Sequence, residues 1–203
     1  MGPGVSKQPV VLTCKHAIKQ TDGNRVALPL SLANARTADN TYEVAKVLRH
    51  DSTDAALLFL DESRVPPSAA FYALAEPADF AQVSAHPAGY PLTFCGFGEI
   101  DDRSGQGAKR KKTGATVRSD QPFGPGMATF DGSYQFVAGG AQGSLTTDVC
   151  EGDSGGPAFF PKSGGLAVLG VVARSVQDYC GVDGSIFTRV DAIREWIREN
   201  SGI

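Results

Sequence analysis

The sequence predicts a mostly β fold that ends in a short helix. The 203-residue chain contains 24 glycines and 12 prolines, a composition typical of many turns between short strands. An apolar fraction of 41% is enough to bury a core, and the length suits one domain or two fused half-domains. Near the C-terminus Ile193, Trp196 and Ile197 fall at helical spacing on one apolar face.

Short apolar and β-branched runs between turn residues predict the strands. The run 55–60 is apolar throughout, which is typical of a strand buried on both faces, and Asp54 stands at its entry. The segment 66–77 is predicted to cross between two halves, and Asp191 is predicted to cap the C-terminal helix. Further strands are predicted at residues 10–13, 26–28, 42–48, 81–85, 92–95, 134–137, 166–172 and 184–190.

Charge and hydropathy exclude several classes of function. The formal net charge of −3 gives the whole chain no electrostatic reason to bind nucleic acid. No apolar run approaches the roughly 20 residues of a membrane span, and no signal-peptide core follows Met1. The even number of cysteines without a Cys-x-x-Cys pair makes a zinc site unexpected and leaves two disulfides, or one disulfide and two thiols, open. The four are Cys14, Cys95, Cys150 and Cys180.

Residues 150–157 (Cys-Glu-Gly-Asp-Ser-Gly-Gly-Pro) form the most distinctive stretch of the chain. Three glycines so close together allow backbone conformations that other residues avoid. Such a turn presents Ser154 and lets the N–H groups of Gly152 and Ser154 converge on one anion site. The plain alternative is a glycine-rich surface turn that happens to contain a serine.

A serine hydroxyl needs a base within hydrogen-bond reach, and the base needs an orienting partner. His16 follows the first predicted strand, and Asp54 enters the buried run, where its carboxylate needs a hydrogen-bond partner. His50 is a rival base and Asp51 a rival carboxylate, although both lie farther from the relevant motifs. His86 precedes a proline in a turn and is interpreted as a surface residue.

In combination, these motifs resemble the chymotrypsin/trypsin family of serine proteases over roughly residues 10–200. The order His, Asp, Ser matches that family and differs from the orders in subtilisin and the α/β-hydrolases. The matching segments are Leu-Thr-Cys-Lys-His at 12–16, Asp-Ala-Ala-Leu at 54–57, Cys-Gly-Phe-Gly at 95–98, the serine motif at 150–157 and Gly-Ser-Ile-Phe-Thr-Arg-Val at 184–190.

The resemblance implies one trypsin-like peptidase domain of two six-stranded antiparallel β-barrels with a short C-terminal helix. The N-terminal barrel is expected at about 1–75, the C-terminal barrel at about 80–190 and the helix at about 191–200. Only 15 residues precede His16, so the N-terminal barrel is expected to be incomplete. The family's new N-terminal amine is then missing as a partner for Asp153, unless that carboxylate finds other partners.

The resemblance also implies a serine endopeptidase that needs no cofactor and no metal. Ser154 would be the nucleophile, His16 the base and Asp54 the orienting group, with Gly152 and Ser154 forming the oxyanion hole. A truncated or catalytically weak homologue that acts as a binding module is the alternative, and an acyl-transferring esterase a more distant one.

The residues that resemble the family's specificity pocket (S1) are Asp148, Ser175 and Ser185. Asp148 stands six positions before Ser154, where trypsin-like members have the carboxylate that favours Arg or Lys before the cleaved bond. Arg174 and the two serines occupy positions where the family has other residues and would narrow the pocket. Alternatively, Asp148 is only a turn residue.

Four further expectations follow from the resemblance. Cys150 and Cys180 resemble the disulfide at the rim of the pocket, whereas Cys14 and Cys95 either form a second bridge or remain buried thiols. The polar stretch 99–116, with its basic run 109–112, is expected to be a solvated loop that an Arg/Lys-specific enzyme would cut. The expected partners are a protein or peptide substrate and protein protease inhibitors, but neither nucleic acid nor membrane. The chain is expected to be a secreted monomer.

Overall fold

The computed structural model describes residues 8–18, 25–27, 41–61, 70–86, 90–99, 110–115, 131–139, 149–176 and 184–203. This part of the chain is mostly β-structure, arranged in two sheets with a short helix at the C-terminus. The predicted mostly β fold class is confirmed, since this arrangement is consistent with a trypsin-like double β-barrel fold. The described residues contribute four and seven strands to the two sheets, and the predicted six strands in each barrel stay a prediction. The predicted boundaries of the two barrels stay a prediction.

The first sheet contains four antiparallel strands in the order β1-β4-β3-β2. Its central strand β4 is buried at every position because both of its faces pack against apolar residues. Leu57 and Phe59 face a core shared with the C-terminal segment, whereas Leu58 and Leu60 face a second core beneath β3. The strands are β1 (Val10–Thr13), β2 (Arg25–Ala27), β3 (Thr41–Arg49) and β4 (Ala56–Leu60).

The second sheet has the order β7-β6-β9-β10-β11-β8, with β5 paired in parallel to the start of β10. A register shift between Val172 and Arg174 interrupts the pairing of β10 with β11. The sequence had not predicted β5 or β9. The strands are β5 (Ala73–Leu74), β6 (Leu92–Gly96), β7 (Arg110–Ala115), β8 (Gln135–Ala138), β9 (Pro157–Lys162), β10 (Gly165–Ser175) and β11 (Ser185–Arg189).

The predicted strand at 81–85 is wrong, because these residues belong to the helix α1 (Pro77–Ser84) and its C-cap. The helix starts with a proline in its first turn and a reciprocal capping box between Glu76 and Asp79. Phe80 and Val83 are buried three residues apart, which is a helical spacing. The alternating pattern of residues 81–85 is compatible with a strand or a helix. The proline and the capping box at the start indicate the helix.

The predicted loop over 99–116 is wrong for Arg110–Ala115, which forms β7 and pairs antiparallel with β6. Part of the basic run therefore belongs to a sheet. Residues 100–109 lie outside the described part of the chain, so the predicted cleavage there stays a prediction.

The chain ends in a 3-10 turn (Asp191–Ile193) followed by the helix α2 (Arg194–Ser201). Asp191 does not cap the helix as predicted, because its carboxylate forms an ion pair with Arg189, with an Nη2–Oδ2 distance of 2.6 Å. No helix in the described residues is long and apolar enough to cross a membrane.

Candidate active site

The pairing of β1 with β4 brings a histidine and an aspartate together. The two strands are antiparallel, with Thr13 opposite Ala56, so the residues after β1 lie beside the residues before β4. His16 Nδ1 lies 2.6 Å from Asp54 Oδ2, and the His16 backbone N–H donates to Asp54 Oδ1 at 2.9 Å. The carboxylate therefore holds both the backbone and the ring of the histidine.

Asp54 also connects the two sheets through its backbone. The Asp54 side chain is only 20% exposed, and its backbone carbonyl accepts a 3.1 Å hydrogen bond from the hydroxyl of Thr188 on β11. With Nδ1–H donating to the carboxylate, His16 Nε2 keeps its lone pair and acts as an acceptor. The rival Asp51 is exposed.

The serine lies next to Nε2, the ring nitrogen of His16 that does not contact Asp54. Ser154 Oγ is 3.1 Å from His16 Nε2, so a residue of the second sheet completes a hydrogen-bonded series that begins at Asp54. The loop that carries the serine is bound to β10, because Gly155 N–H donates to Val172 O and Val172 N–H donates to Gly156 O, both at 2.9 Å. Ser154 is thus held by a strand and not by a mobile turn.

Gly155 allows β1 and the serine loop to approach closely. Its φ angle of +81° lies in the left-handed region, and a Cβ at this position would collide with Thr13 Oγ1 and lie 3.4 Å from Cys14 Sγ. The end of β1, and with it His16, can therefore pack directly against the loop.

Asp153 is buried, and two of its partners are backbone N–H groups. Its carboxylate accepts hydrogen bonds from the N–H groups of Gly98 at 2.8 Å and Cys150 at 2.9 Å. A Cβ at Gly96 would collide with this carboxylate, and one at Gly98 would lie 2.6 Å from the Asp153 nitrogen. The two glycines of the predicted Cys-Gly-Phe-Gly element thus make room for Asp153, which has other partners than the amine that the resemblance implied.

Residues 2–197 match the family model described as Trypsin. The chain belongs to the trypsin family. A CLIP domain-containing serine protease B4 from Anopheles gambiae is 40% identical over 70 residues, which are 34% of this chain and 18% of that protein. The matched region is thus well under two thirds of the relative's length. Both comparisons place the chain among trypsin-like sequences.

The family's other site residues are only partly within the described structure. Gly152 and Ser154 lie in the same turn, and neither N–H donates a hydrogen bond to another described residue. Ser185 is buried and lies opposite the half-buried Ser175 in the pairing of β11 with β10, while Arg174 is exposed. Asp148 lies outside the described residues.

The described cysteines are present as thiols. Cys14 and Cys95 do not form the second bridge that the sequence left open, and Cys150 is also a thiol. The predicted partner of Cys150, Cys180, lies outside the described residues, so the disulfide at the pocket rim stays a prediction.

Cys14 is a part of the site that the sequence had not predicted. Its Sγ lies 3.9 Å from His16 Nε2, the nitrogen that faces the serine. Burial raises the pKa of the Cys14 thiol to about 11, so the group is protonated at neutral pH. Donor atoms of Cys14, His16 and Asp54 lie within 4.8 Å of one another and are the group in the described residues that could hold a metal.

The rival histidine, His50, has contacts that are typical of a residue with a structural role. His50 Nδ1 accepts hydrogen bonds from the N–H groups of Ser52 and Thr53, at 3.2 and 3.3 Å, and the ring packs edge-on against Trp196. Burial lowers the pKa of His50, which favours the neutral ring. His86 is exposed, as expected.

Proposed function

We propose that this chain is a serine endopeptidase that hydrolyses peptide bonds through an acyl-enzyme at Ser154. The observation that carries the proposal is the hydrogen-bonded series from Asp54 through His16 to Ser154, with distances of 2.6 and 3.1 Å. Such a series supplies the base and the orienting group that a serine nucleophile requires.

In this mechanism Ser154 Oγ attacks the carbonyl carbon of the substrate while His16 Nε2 accepts the hydroxyl proton. The protonated ring then gives that proton to the leaving amine, and a water molecule activated by the same nitrogen releases the acyl group. Asp54 keeps the proton of Nδ1 in place and stabilises the imidazolium. Its low exposure strengthens this interaction, because water screens it less.

The oxyanion hole is assigned to the N–H groups of Gly152 and Ser154. Both belong to the turn that presents the nucleophile, and neither is bonded to another described residue. Donors of this kind stabilise the negative charge of the tetrahedral intermediate and contribute about 3–4 kcal/mol each.

Cleavage after Arg or Lys is the proposed specificity, with Asp148 at the base of the pocket. The position of Asp148, six residues before Ser154, supports it. Ser175 and Ser185, neighbours across β10 and β11, are proposed to line the pocket. Under oxidising conditions the Cys150 thiol is proposed to form a disulfide with Cys180 at its rim.

The proposed setting is extracellular, with protein or peptide substrates and protein inhibitors as partners of a monomeric enzyme. The likeness to a CLIP domain-containing serine protease supports a role in proteolysis.

Covalent labelling with a serine-directed phosphonate tests the function. We expect one label per chain, located by mass spectrometry at Ser154, and none in Ser154→Ala. Ser133→Ala, at an exposed serine outside the site, is the matched control and should be labelled. No labelling of the folded wild-type chain would favour the alternative, a binding module. A panel of peptides that differ in the residue before the cleaved bond then tests specificity, and Asp148→Ser should lose the preference for Arg.

A further inference from the structure

The Cys14 thiol lies beside His16, and together the two side chains offer ligand atoms for a metal ion. We propose that Cys14 Sγ and His16 Nε2 bind a zinc ion, which switches the site off while it is bound. Thiolate and imidazole are the two ligand types that zinc prefers in proteins. The sequence contained no metal motif, because the two residues stand in a Cys-x-His spacing and the site depends on the fold.

The distance between the two ligand atoms fits one shared zinc ion. Zinc lies about 2.3 Å from sulfur and about 2.1 Å from nitrogen, so two such ligands at a tetrahedral angle are roughly 3.6 Å apart. The observed distance between Cys14 Sγ and His16 Nε2 is 3.9 Å. The two ligand atoms are therefore within a few tenths of an ångström of the separation that a shared zinc ion requires.

Asp54 prepares the histidine for a metal in the same way as it prepares it for the serine. Nδ1–H donates to the carboxylate, which leaves the lone pair of Nε2 available. Histidines that bind metals typically donate their other N–H to a carboxylate in this manner, and this raises ligand basicity. The Asp54 carboxylate would therefore already hold the ring of a zinc-bound His16 in position.

The site is open to solvent on the side of His16. The side chain of His16 is 49% exposed, whereas Cys14 is buried directly behind it and against Gly155. On binding, hydrated Zn²⁺ loses two waters, the S–H bond of Cys14 breaks and its proton passes to solvent, and S–Zn and N–Zn bonds form. Water retains the remaining positions, on the side of Ser154 Oγ.

Zinc and the Ser154 proton compete for one lone pair. Ser154 Oγ is 3.1 Å from the same nitrogen that would bind the metal, so a zinc-bound His16 cannot accept the hydroxyl proton. Inhibition that a chelator reverses is the expected consequence. This consequence rests on the proposed peptidase function, whereas the metal site does not.

Binding of Zn²⁺ and Co²⁺ to the full chain tests the site. By equilibrium dialysis we expect one zinc per chain in the wild type and in Cys95→Ser, the control that removes another thiol. Affinity should fall at least about tenfold in Cys14→Ser and in Cys14→Ala, with folding checked by circular dichroism. Co²⁺ should give a thiolate-to-metal charge-transfer band with the wild type, and this measurement needs no variant. Equal zinc affinity in both Cys14 variants, or a cobalt spectrum without that band, would overturn the proposal.

Peptide hydrolysis separates this proposal from the function on which it depends. In an active enzyme, zinc should slow hydrolysis, EDTA should restore it, and Cys14→Ser should need at least about ten times more zinc for the same relative inhibition. A chain that binds zinc through Cys14 but neither hydrolyses peptides nor reacts with the phosphonate refutes the peptidase and leaves the metal site standing. An active chain whose zinc inhibition is unchanged in the Cys14 variants refutes the switch.

Discussion

His16 and His50 lie at the same end of one sheet and have opposite environments. His16 follows β1 and His50 follows β3, on either side of the central strand β4, and Lys15 Nζ donates to the His50 carbonyl at 3.0 Å. His16 is half exposed and has a carboxylate at Nδ1. His50 packs against Trp196 and accepts backbone N–H groups at Nδ1.

This difference shows why His16 is the better candidate for a catalytic base. Both rings are fixed by their Nδ1 atoms, but only His16 donates there, and only its Nε2 meets a hydroxyl. The Asp54 carboxylate lies directly at Nδ1 of His16, whereas burial makes the charged form of His50 costly. Four experiments test this comparison, in order of decreasing expected effect.

Asp54→Asn should prevent His16 from acting as a base. The amide keeps the size of the side chain but loses the charge and favours the wrong tautomer, so kcat/KM should fall about 10³–10⁴-fold. Asp51→Asn removes an exposed carboxylate from the same hairpin and should change kcat/KM less than about threefold. Similar losses in both variants would mean that Asp54 does not orient the base.

Gly155→Ala should move His16 away from the nucleophile. The new Cβ meets Thr13 Oγ1 at the end of β1, and a misplacement of about 1 Å costs on the order of 100-fold in rate. Gly164 also has a positive φ angle, +90°, but nothing lies within 4 Å of its Cβ position. Gly164→Ala is thus the control for backbone strain and should keep its kcat/KM.

His50→Ala should cost stability rather than activity. It removes the acceptor of two backbone N–H groups and the contact with Trp196, so the free energy of unfolding should fall by about 1–3 kcal/mol in urea titrations. We expect kcat/KM to change less than about threefold. His86→Ala, at an exposed position, should leave both quantities unchanged, and a large loss of kcat/KM in His50→Ala would make His50 the better candidate base.

The smallest effect is a pH dependence of stability from His50. Because its folded pKa lies below its ordinary value of 6.5, the unfolded chain binds the proton more tightly. The stability contribution of the neutral ring is complete above pH 6.5 and is lost as the pH falls from there through the folded pKa. The decrease in unfolding free energy from pH 7.5 to pH 5 should therefore be smaller in His50→Gln. An identical decrease in both proteins would contradict the buried, neutral ring.

The sequence predicted the site better than some elements of the fold. Asp54 before a fully apolar run, His16 after a β-branched run and Ser154 among glycines each had a local signal, and the strand pairing brings all three together. The helix α1 was missed because a short alternating segment suits both periods. The capping box at Glu76 was the signal that would have identified it.

The partners of Asp153 and the position of Cys14 could not be predicted, for a different reason. The N–H of Gly98 comes from 55 residues away, and the Cys14 thiol meets Nε2 only when β1 packs against the serine loop. These contacts join segments that are distant in the sequence, and no local sequence pattern indicates that the segments meet. Cys14 also carries no motif beyond its place near a histidine.

The hydrogen bond from Thr188 to the Asp54 carbonyl makes the proposed catalytic site a reporter of folding. Asp54 and His16 belong to one sheet and Ser154 to the other, so partial separation of the sheets dismantles the site while each sheet keeps its secondary structure. Under mild denaturant such local opening precedes global unfolding. Activity should then disappear at lower urea than the far-UV circular dichroism signal, and the shelf life of this chain would be set by sheet docking rather than by the strength of either sheet.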